Sequence, residues 1–384
     1  MRAYLDHASS SPLRPAALDA MLPYLREHHA DPGRVHHEGH VTRAAIEEAR
    51  EQVAALFGAR PREVVFTSSG TESVNAAAFG ALARRPGHVV TTAVEHSAVL
   101  EAVRRGAGAV TEIGVDRYGR YDAEAVLDSC NDDTTFVSVQ LANHEVGTLQ
   151  PAAEVAAAAR ARGITVHIDA CAAAGHVPVD FGALGADLVS VTAHKLGGPK
   201  GAAALLVRRG LRFPAFVVGG AQERARRGGI ENVPAIVGFG AAAAALDLAA
   251  EAGRARLLTD RLTAGALAVD GITRLGPTGI GAGLDPSASL PHLVCLGVEG
   301  VEAEPILLGL DRRGVAVHSG SSCSSEALEP SPVLAAMGVD ADRSLRASVG
   351  WNSTDDDVDA FLAAFPDVVS GLRALRTQTP GDQA

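Results

Sequence analysis

The sequence predicts an α/β fold: a mostly parallel, doubly wound sheet in a large domain, with a smaller α+β domain beside it. Three observations predict this. Short apolar runs alternate with helical periodicity from about residue 63 to residue 207. Polar residues collect where those runs end, the place where such sheets bind ligands. A second, shorter succession of strands and helices follows residue 290. At 384 residues the chain is too long for one small core and suits a large domain plus a smaller one. The expected limits are 13–250 for the large domain, and 1–12 with 251–384 for the small one.

The elements follow in order. Ile46, Ala49, Val53 and Leu56 recur at helical spacing and predict a helix over 44–57. The apolar run 63–66 predicts a strand that enters Thr67-Ser68-Ser69-Gly70-Thr71-Glu72. A helix over 74–83, a strand over 88–92 and a helix over 97–105 come next. Strands are expected at 135–141, 164–168, 188–192 and 202–207, with a helix at 151–162. A long Ala-rich helix is predicted over 234–267, and an exposed Gly/Pro-rich loop over 276–291. Then come a strand at 292–297, a helix at 304–312, a strand at 315–318, and helices at 332–337 and 355–372. Residues 378–384 read as a frayed end.

Composition narrows the function. Hydrophobic residues are 47% and charged residues 21%, ordinary globular usage, so disorder is not expected. A net charge of −11 argues against a nucleic-acid binder working through bulk charge. No apolar run reaches the ~18–20 residues that span a bilayer, and the first residues lack the apolar stretch of a signal peptide. Cys130, Cys171, Cys295 and Cys323 are too few and scattered for a disulfide scaffold. The expectation is a soluble cytoplasmic enzyme.

Lys and Arg total 34, yet only Lys195 and Lys200 are Lys. Arg replaces Lys well as a surface cation, but it forms no Schiff base. A Lys that persists against this bias is a candidate for amine chemistry; chance survival on a surface loop is about as good a reading.

Ser68-Ser69-Gly70-Thr71 lies between a strand and a helix, where exposed amides and hydroxyls can cradle a phosphate. It is neither a Walker A loop nor a dinucleotide fingerprint. Asp169 ends a buried strand and could serve a pyridinium nitrogen, a metal or a helix cap. Lys195 follows a strand within His194-Lys195-Leu196-Gly197-Gly198-Pro199-Lys200. Phosphate-type loop, acid and lysine together suit the three ends of pyridoxal phosphate. Cys323 stands in a loop of small polar residues, 319–325, unlike a structural Cys. Cys171 and Cys295 read as core filler, and Cys130 as a surface or near-surface residue. The His-rich stretch His28, His29, His36, His37 and His40 fits no closed metal geometry, so no metal site is expected.

These residues carry a family resemblance over nearly the whole chain. Leu5-Asp6-His7-Ala8, Phe66 to Ser73, Glu95 to Leu100, His194 to Gly201, 319–332 and Ser344 to Gly350 resemble the cysteine desulfurases of the NifS/IscS type, in the class V aminotransferase group. The resemblance implies a fold-type I pyridoxal-phosphate enzyme, normally a homodimer. It implies Lys195 as the Schiff-base lysine, His96 as the ring-stacking proton shuttle, and Asp169 as partner of the pyridine nitrogen. Gly70, Thr71, Thr192 and His194 match phosphate contacts. Arg346 matches the arginine that holds the substrate carboxylate, Asn143 falls in the substrate region, and Cys323 matches the sulfur-taking nucleophile.

Three positions depart from the family pattern. His144 stands where an Asn usually meets the cofactor hydroxyl, Ala172 where a Gln is usual, and Ile230 where a Thr usually reaches a phosphate across the dimer. The implied reaction turns L-cysteine into L-alanine and leaves a persulfide on Cys323 for a sulfur-acceptor protein. His96 is the nearest candidate to deprotonate that thiol. The competing readings are another class V enzyme, such as a selenocysteine lyase or an aminotransferase, and a non-catalytic partner protein on this fold.

Overall fold

The computed structural model describes residues 2–212, 214–277, 288–319 and 331–378, with side chains to 375. Cys323, and with it the loop expected to carry the sulfur, lies outside the described residues.

Thirteen strands occur among the described residues: β1 Ala3–Tyr4, β2 Val64–Thr67, β3 His88–Thr92, β4 Ala109–Ile113, β5 Thr134–Gln140, β6 Thr165–Asp169, β7 Leu188–Thr192, β8 Ala203–Val207, β9 Ile272–Leu275, β10 Leu293–Val298, β11 Val315–Ala316, β12 His318–Ser319 and β13 Ser344–Ser348. Seven form one sheet in the order β2-β8-β7-β6-β5-β3-β4. Its neighbours are parallel except for β8, which runs antiparallel to both β2 and β7. Strands β2, β3, β5, β7 and β8 are buried along their whole length. Helices cover both faces, as a parallel sheet requires.

Because β3, β5, β6 and β7 are parallel, their carboxyl ends emerge on one edge. Thr92, Gln140, Asp169 and Thr192 stand there, far apart in sequence and adjacent in space. The expected polar clustering is thus a product of strand direction.

A four-stranded antiparallel sheet, β12-β13-β10-β9, and a parallel pair, β1-β11, come from the two chain ends. The β1–β11 register sets Ala3 against Val315, and Asp6 bridges to Ser348 just beyond. This stitching brings the N-terminal segment and Arg346 to the edge of the large sheet.

The structure corrects four sequence expectations. The 234–267 helix is two helices, Val233–Ala244 and Leu248–Leu267, bent by 79°. Asp247 ends the first run by capping the second, its side chain accepting from the Ala250 amide. The 276–291 loop is not exposed throughout: Ser289 and Leu290 are buried, pinned by backbone bonds from Leu149 to Ala288 and from Leu290 to Gly147. The strand expected at 315–318 is two short strands in different sheets. Cys130 is buried, with its thiol donating to the Val126 carbonyl at 3.3 Å.

Candidate active site

A cavity of about 320 Å³ opens at the carboxyl edge of the seven-stranded sheet. One wall is the start of the helix Gly70–Arg84. Ser69 caps this helix, its hydroxyl accepting from the Glu72 amide at 3.1 Å. Ser69, Gly70 and Thr71 line the cavity, so the positive end of a 15-residue helix faces it. Glu72 would oppose an anion here, but Arg227 pairs with it at 2.9 Å, and Ser68 donates to it through both amide and hydroxyl. A Cβ on Gly70 would lie 2.8 Å from the Cys171 sulfur, so only glycine lets this helix end approach so closely.

The floor carries the acid, the amine and the imidazoles. Asp169 ends β6 and accepts from the Cys171 amide at 2.9 Å. Below it, His167 is fully buried between the Ser138 and Ser190 hydroxyls at 2.9 and 2.8 Å. Burial holds that ring down at about 4, so it stays neutral beneath the acid. Lys195 follows β7 and lines the cavity half-buried, while Lys200 is exposed in the adjacent turn. The Lys195 carbonyl accepts from the Ser11 hydroxyl at 3.1 Å, and Ser11 itself donates to the His194 carbonyl through its amide. Thr192 and His194 are joined at 2.8 Å between hydroxyl and ring Nδ1. Burial, with Lys195 and Lys200 beside it, lowers His194 to about 4.

His96 caps the helix Ser97–Gly106, with its Nδ1 accepting from the Ala98 amide at 3.0 Å. His144 faces it, the two ring centroids 5.2 Å apart. Arg346, on β13, is almost fully buried. It donates to the His144 carbonyl at 3.0 Å, to Asp6 at 3.0 Å and to the Ser9 hydroxyl at 2.6 Å.

Of the residues singled out from sequence, the cavity gathers Gly70, Thr71, His96, His144, Asp169, Thr192, His194, Lys195 and Arg346. It does not gather Asn143. That side chain is fully buried and spends its groups on the backbone, donating to Val94 and accepting from the Glu145 and Val146 amides. Cys171 is not core filler; it lines the cavity, although burial raises its thiol well above the ordinary range. Cys295 is core as expected, pushed up to about 12 by burial.

The model of the family described as Aminotransferase class-V matches residues 3–361. The chain belongs to the class-V aminotransferase family. Within it, the chain is 38% identical to cysteine desulfurase IscS 1 of Archaeoglobus fulgidus, across 97% of this chain and 98% of that one. A solved NifS-like protein superposes with a TM-score of 0.87 at 30% identity, covering 97% of this chain and 100% of that one. SspA, solved in complex with cysteine, gives 0.79 at 28% identity over 91% of this chain and 99% of its own. The NifS/IscS-type resemblance and the fold-type I architecture both hold.

Sequence reading missed Glu95 and Gln140 in this family site. Glu95 is fully buried, accepting from the Thr92 hydroxyl at 2.6 Å and the Gln140 amide at 2.9 Å. Burial pushes its carboxyl up to about 8, with Asp169 adding to the rise. The available signal was its place directly before His96.

Proposed function

We propose that this chain is a pyridoxal-phosphate-dependent cysteine desulfurase. It converts L-cysteine to L-alanine and leaves the sulfur as a persulfide on Cys323, from which an acceptor protein takes it. The observation that carries the reading is the convergence of Lys195, Asp169, His96, Arg346 and the Gly70 helix end on one cavity.

The donor set fits the cofactor chemically. The helix end with Gly70 and Thr71, together with Thr192 and His194, would hold the phosphate. Asp169 would keep the ring nitrogen protonated. His96 would lie over the ring face, and Lys195 would supply the amine. The close approach of Gly70 to Cys171 supports this cradle, because it sets helix-end amides at the cavity wall. When bound, pyridoxal phosphate condenses with amines and takes up the electrons released at the substrate Cα.

The chain's own residues do the rest. Arg346, oriented by Asp6 and Ser9, binds the substrate carboxylate through its planar fork. Lys195 would take the Cα proton at Nζ, and its backbone is held by Ser11. Asp169 would supply the negative charge that pairs with a protonated ring nitrogen. Cys323, as thiolate, is the nucleophile toward the substrate sulfur. The protein works as a homodimer, its segment from Arg226 to Asn232 reaching the partner's cavity.

The test is to add L-cysteine to the holoprotein and measure alanine together with the cofactor spectrum. Cys323→Ser should keep the cofactor and release no alanine above background. After one turnover, mass spectrometry should find one added sulfur on the peptide containing Cys323. Lys195→Ala should abolish turnover, and borohydride should fix the cofactor to the Lys195 peptide. Normal alanine release from Cys323→Ser, or the sulfur appearing on Cys130, would overturn the reading.

A further inference from the structure

Residues 6–14 run from the small antiparallel sheet to the lysine loop. Asp6 bridges to Ser348 on β13, and the His7 amide donates to the Ser348 carbonyl at 3.4 Å. A few residues on, four successive carbonyls of the lysine loop accept from this one segment. His194 accepts from the Ser11 amide at 2.9 Å, Lys195 from the Ser11 hydroxyl at 3.1 Å, Leu196 from Arg14 Nε at 2.8 Å, and Gly197 from the Arg14 amide at 2.8 Å. The backbone that bears Lys195 is thus set by a strap that is itself anchored on the strand of Arg346.

His7 is buried at the centre of this strap. Its Nδ1 lies 3.1 Å from Ser11 Oγ, and its Nε2 lies 3.2 Å from Ser353 Oγ. Donor counting assigns the protons. A carbonyl can only accept, so Ser11 spends its single hydroxyl proton on Lys195. The hydrogen between His7 and Ser11 must then belong to Nδ1 of the ring. Burial holds the ring down at about 4, against the pull of Asp357 and Asp6, so it is neutral and its Nε2 is bare. Nε2 accepts the Ser353 proton, and Ser353 Oγ accepts the Gly350 amide at 2.9 Å. Every donor points the same way, from Gly350 through Ser353, His7 and Ser11 to the Lys195 carbonyl, and each bond polarises the next. A Cβ on Gly350 would collide with His7 Nδ1, so a glycine is needed to admit the ring.

We propose that His7 is a positioning residue for Lys195. Its Nδ1–H keeps the Ser11 hydroxyl turned toward the Lys195 carbonyl, and so registers the lysine against the strand that bears Arg346. This rests on the desulfurase reading, which gives Lys195 and Arg346 their tasks. A ring that could not donate at Nδ1 would leave Ser11 free to turn away, and the lysine loop would lose one of its four anchors.

The experiment combines nitrogen-15 NMR of the His7 ring in the holoenzyme with alanine release by variants. The ring should carry its proton on Nδ1 in the wild type. His7→Phe keeps a planar ring without a donor; it should lower kcat about 10–10²-fold with little change in KM, since a misplaced lysine slows the chemistry more than it weakens binding. His7→Asn puts an amide donor where Nδ1 stands and should recover most of the rate. Ser11→Ala should resemble His7→Phe, and the double variant should be no worse than either, because the chain is cut once. Absorbance of the Lys195-bound cofactor should change in His7→Phe and Ser11→Ala and return toward wild type in His7→Asn. A ring proton on Nε2, equal losses in His7→Phe and His7→Asn, or additive losses in the double variant would overturn the proposal. If the wild type holds the cofactor on Lys195 yet releases no alanine, the desulfurase reading falls, and the ring proton and cofactor absorbance alone decide the role of His7.

Discussion

Arg50 and Glu223, 173 residues apart, meet in the core through two parallel hydrogen bonds of 2.7 Å, and each side chain is 1% exposed. Glu223 also accepts the Phe66 amide at 2.9 Å, and Arg50 donates to the Val64 carbonyl at 3.0 Å. The pair thus ties β2, the long helix His37–Leu56 and a distant turn together. That turn holds Glu223, Arg224 and Ala225 at φ of 47°, 59° and 60°. Left-handed backbone costs non-glycine residues about 1–2 kcal/mol each, so the buried pair offsets strain in the segment that carries Arg227 to Glu72.

Glu223→Ala should therefore be costly, because it strips the buried Arg50 of its two 2.7 Å bonds and leaves the exposed Glu47, at 3.1 Å, as its remaining ion partner; the expected loss is about 3 kcal/mol. The double variant Arg50→Met with Glu223→Met should lose less than either single change, since no lone charge remains. Denaturant unfolding of the set measures this. A Glu223→Ala loss under about 1 kcal/mol, within the range of an exposed pair, would contradict the role given to it.

Gly70→Ala should weaken cofactor binding while leaving the fold intact. The new methyl meets the Cys171 sulfur at 2.8 Å, at the wall proposed to hold the phosphate. Cys171→Ala alone should be nearly silent, and the double variant should recover most of the affinity because the clash is removed. Fluorescence titration of the apoprotein with pyridoxal phosphate reads all three. No recovery in the double variant would place the cause elsewhere.

Stability should fall as pH drops below about 6.5, the ordinary imidazole value. Burial holds His7, His167 and His194 down at about 4 and His176 at about 3. Above pH 6.5 folded and unfolded forms are both neutral at these sites, and their contribution is fully present. Between 6.5 and 4 the unfolded chain binds protons that the folded chain refuses, so each site removes up to about 1.4 kcal/mol per pH unit. Calorimetry from pH 7 to 4.5 should show a falling Tm and net proton uptake on unfolding. A flat Tm with no uptake would refute it.

Ile230→Thr should tighten cofactor binding. Ile230 is 65% exposed on the segment proposed to reach the partner subunit, and its side chain supplies no hydrogen bond to a phosphate. A threonine hydroxyl there adds one charge-assisted bond, about 1.5–3 kcal/mol at best, so dissociation should slow about tenfold or more. Equal dissociation constants for the two forms, or a fully active monomer by ultracentrifugation, would count against the shared site.

Sequence alone placed six of the seven strands of the large sheet to within a residue or two, and with them the positions of Asp169, Thr192 and Lys195; it missed the partly exposed edge strand β4, Ala109–Ile113. It could do so because strands buried on both faces are written as mostly apolar, β-branched runs, and a parallel sheet puts their polar ends on one edge. The family motifs were legible for the same reason: each sits where an element ends and its backbone turns. What tertiary structure alone decided depends on contacts between distant residues. Cys130 read as a surface or near-surface residue beside its acidic neighbours, yet its buried thiol bonds back to Val126 in the preceding helix. Cys171 read as core, yet the approach of Gly70 set it in the cavity wall. Asn143 read as a ligand for substrate, but a tight turn consumed its amide. The bend after Ala244 hung on one capping aspartate within an unbroken helical composition. The cap that His96 makes was likewise invisible in the sequence, because only folding sets the Ala98 amide against its Nδ1.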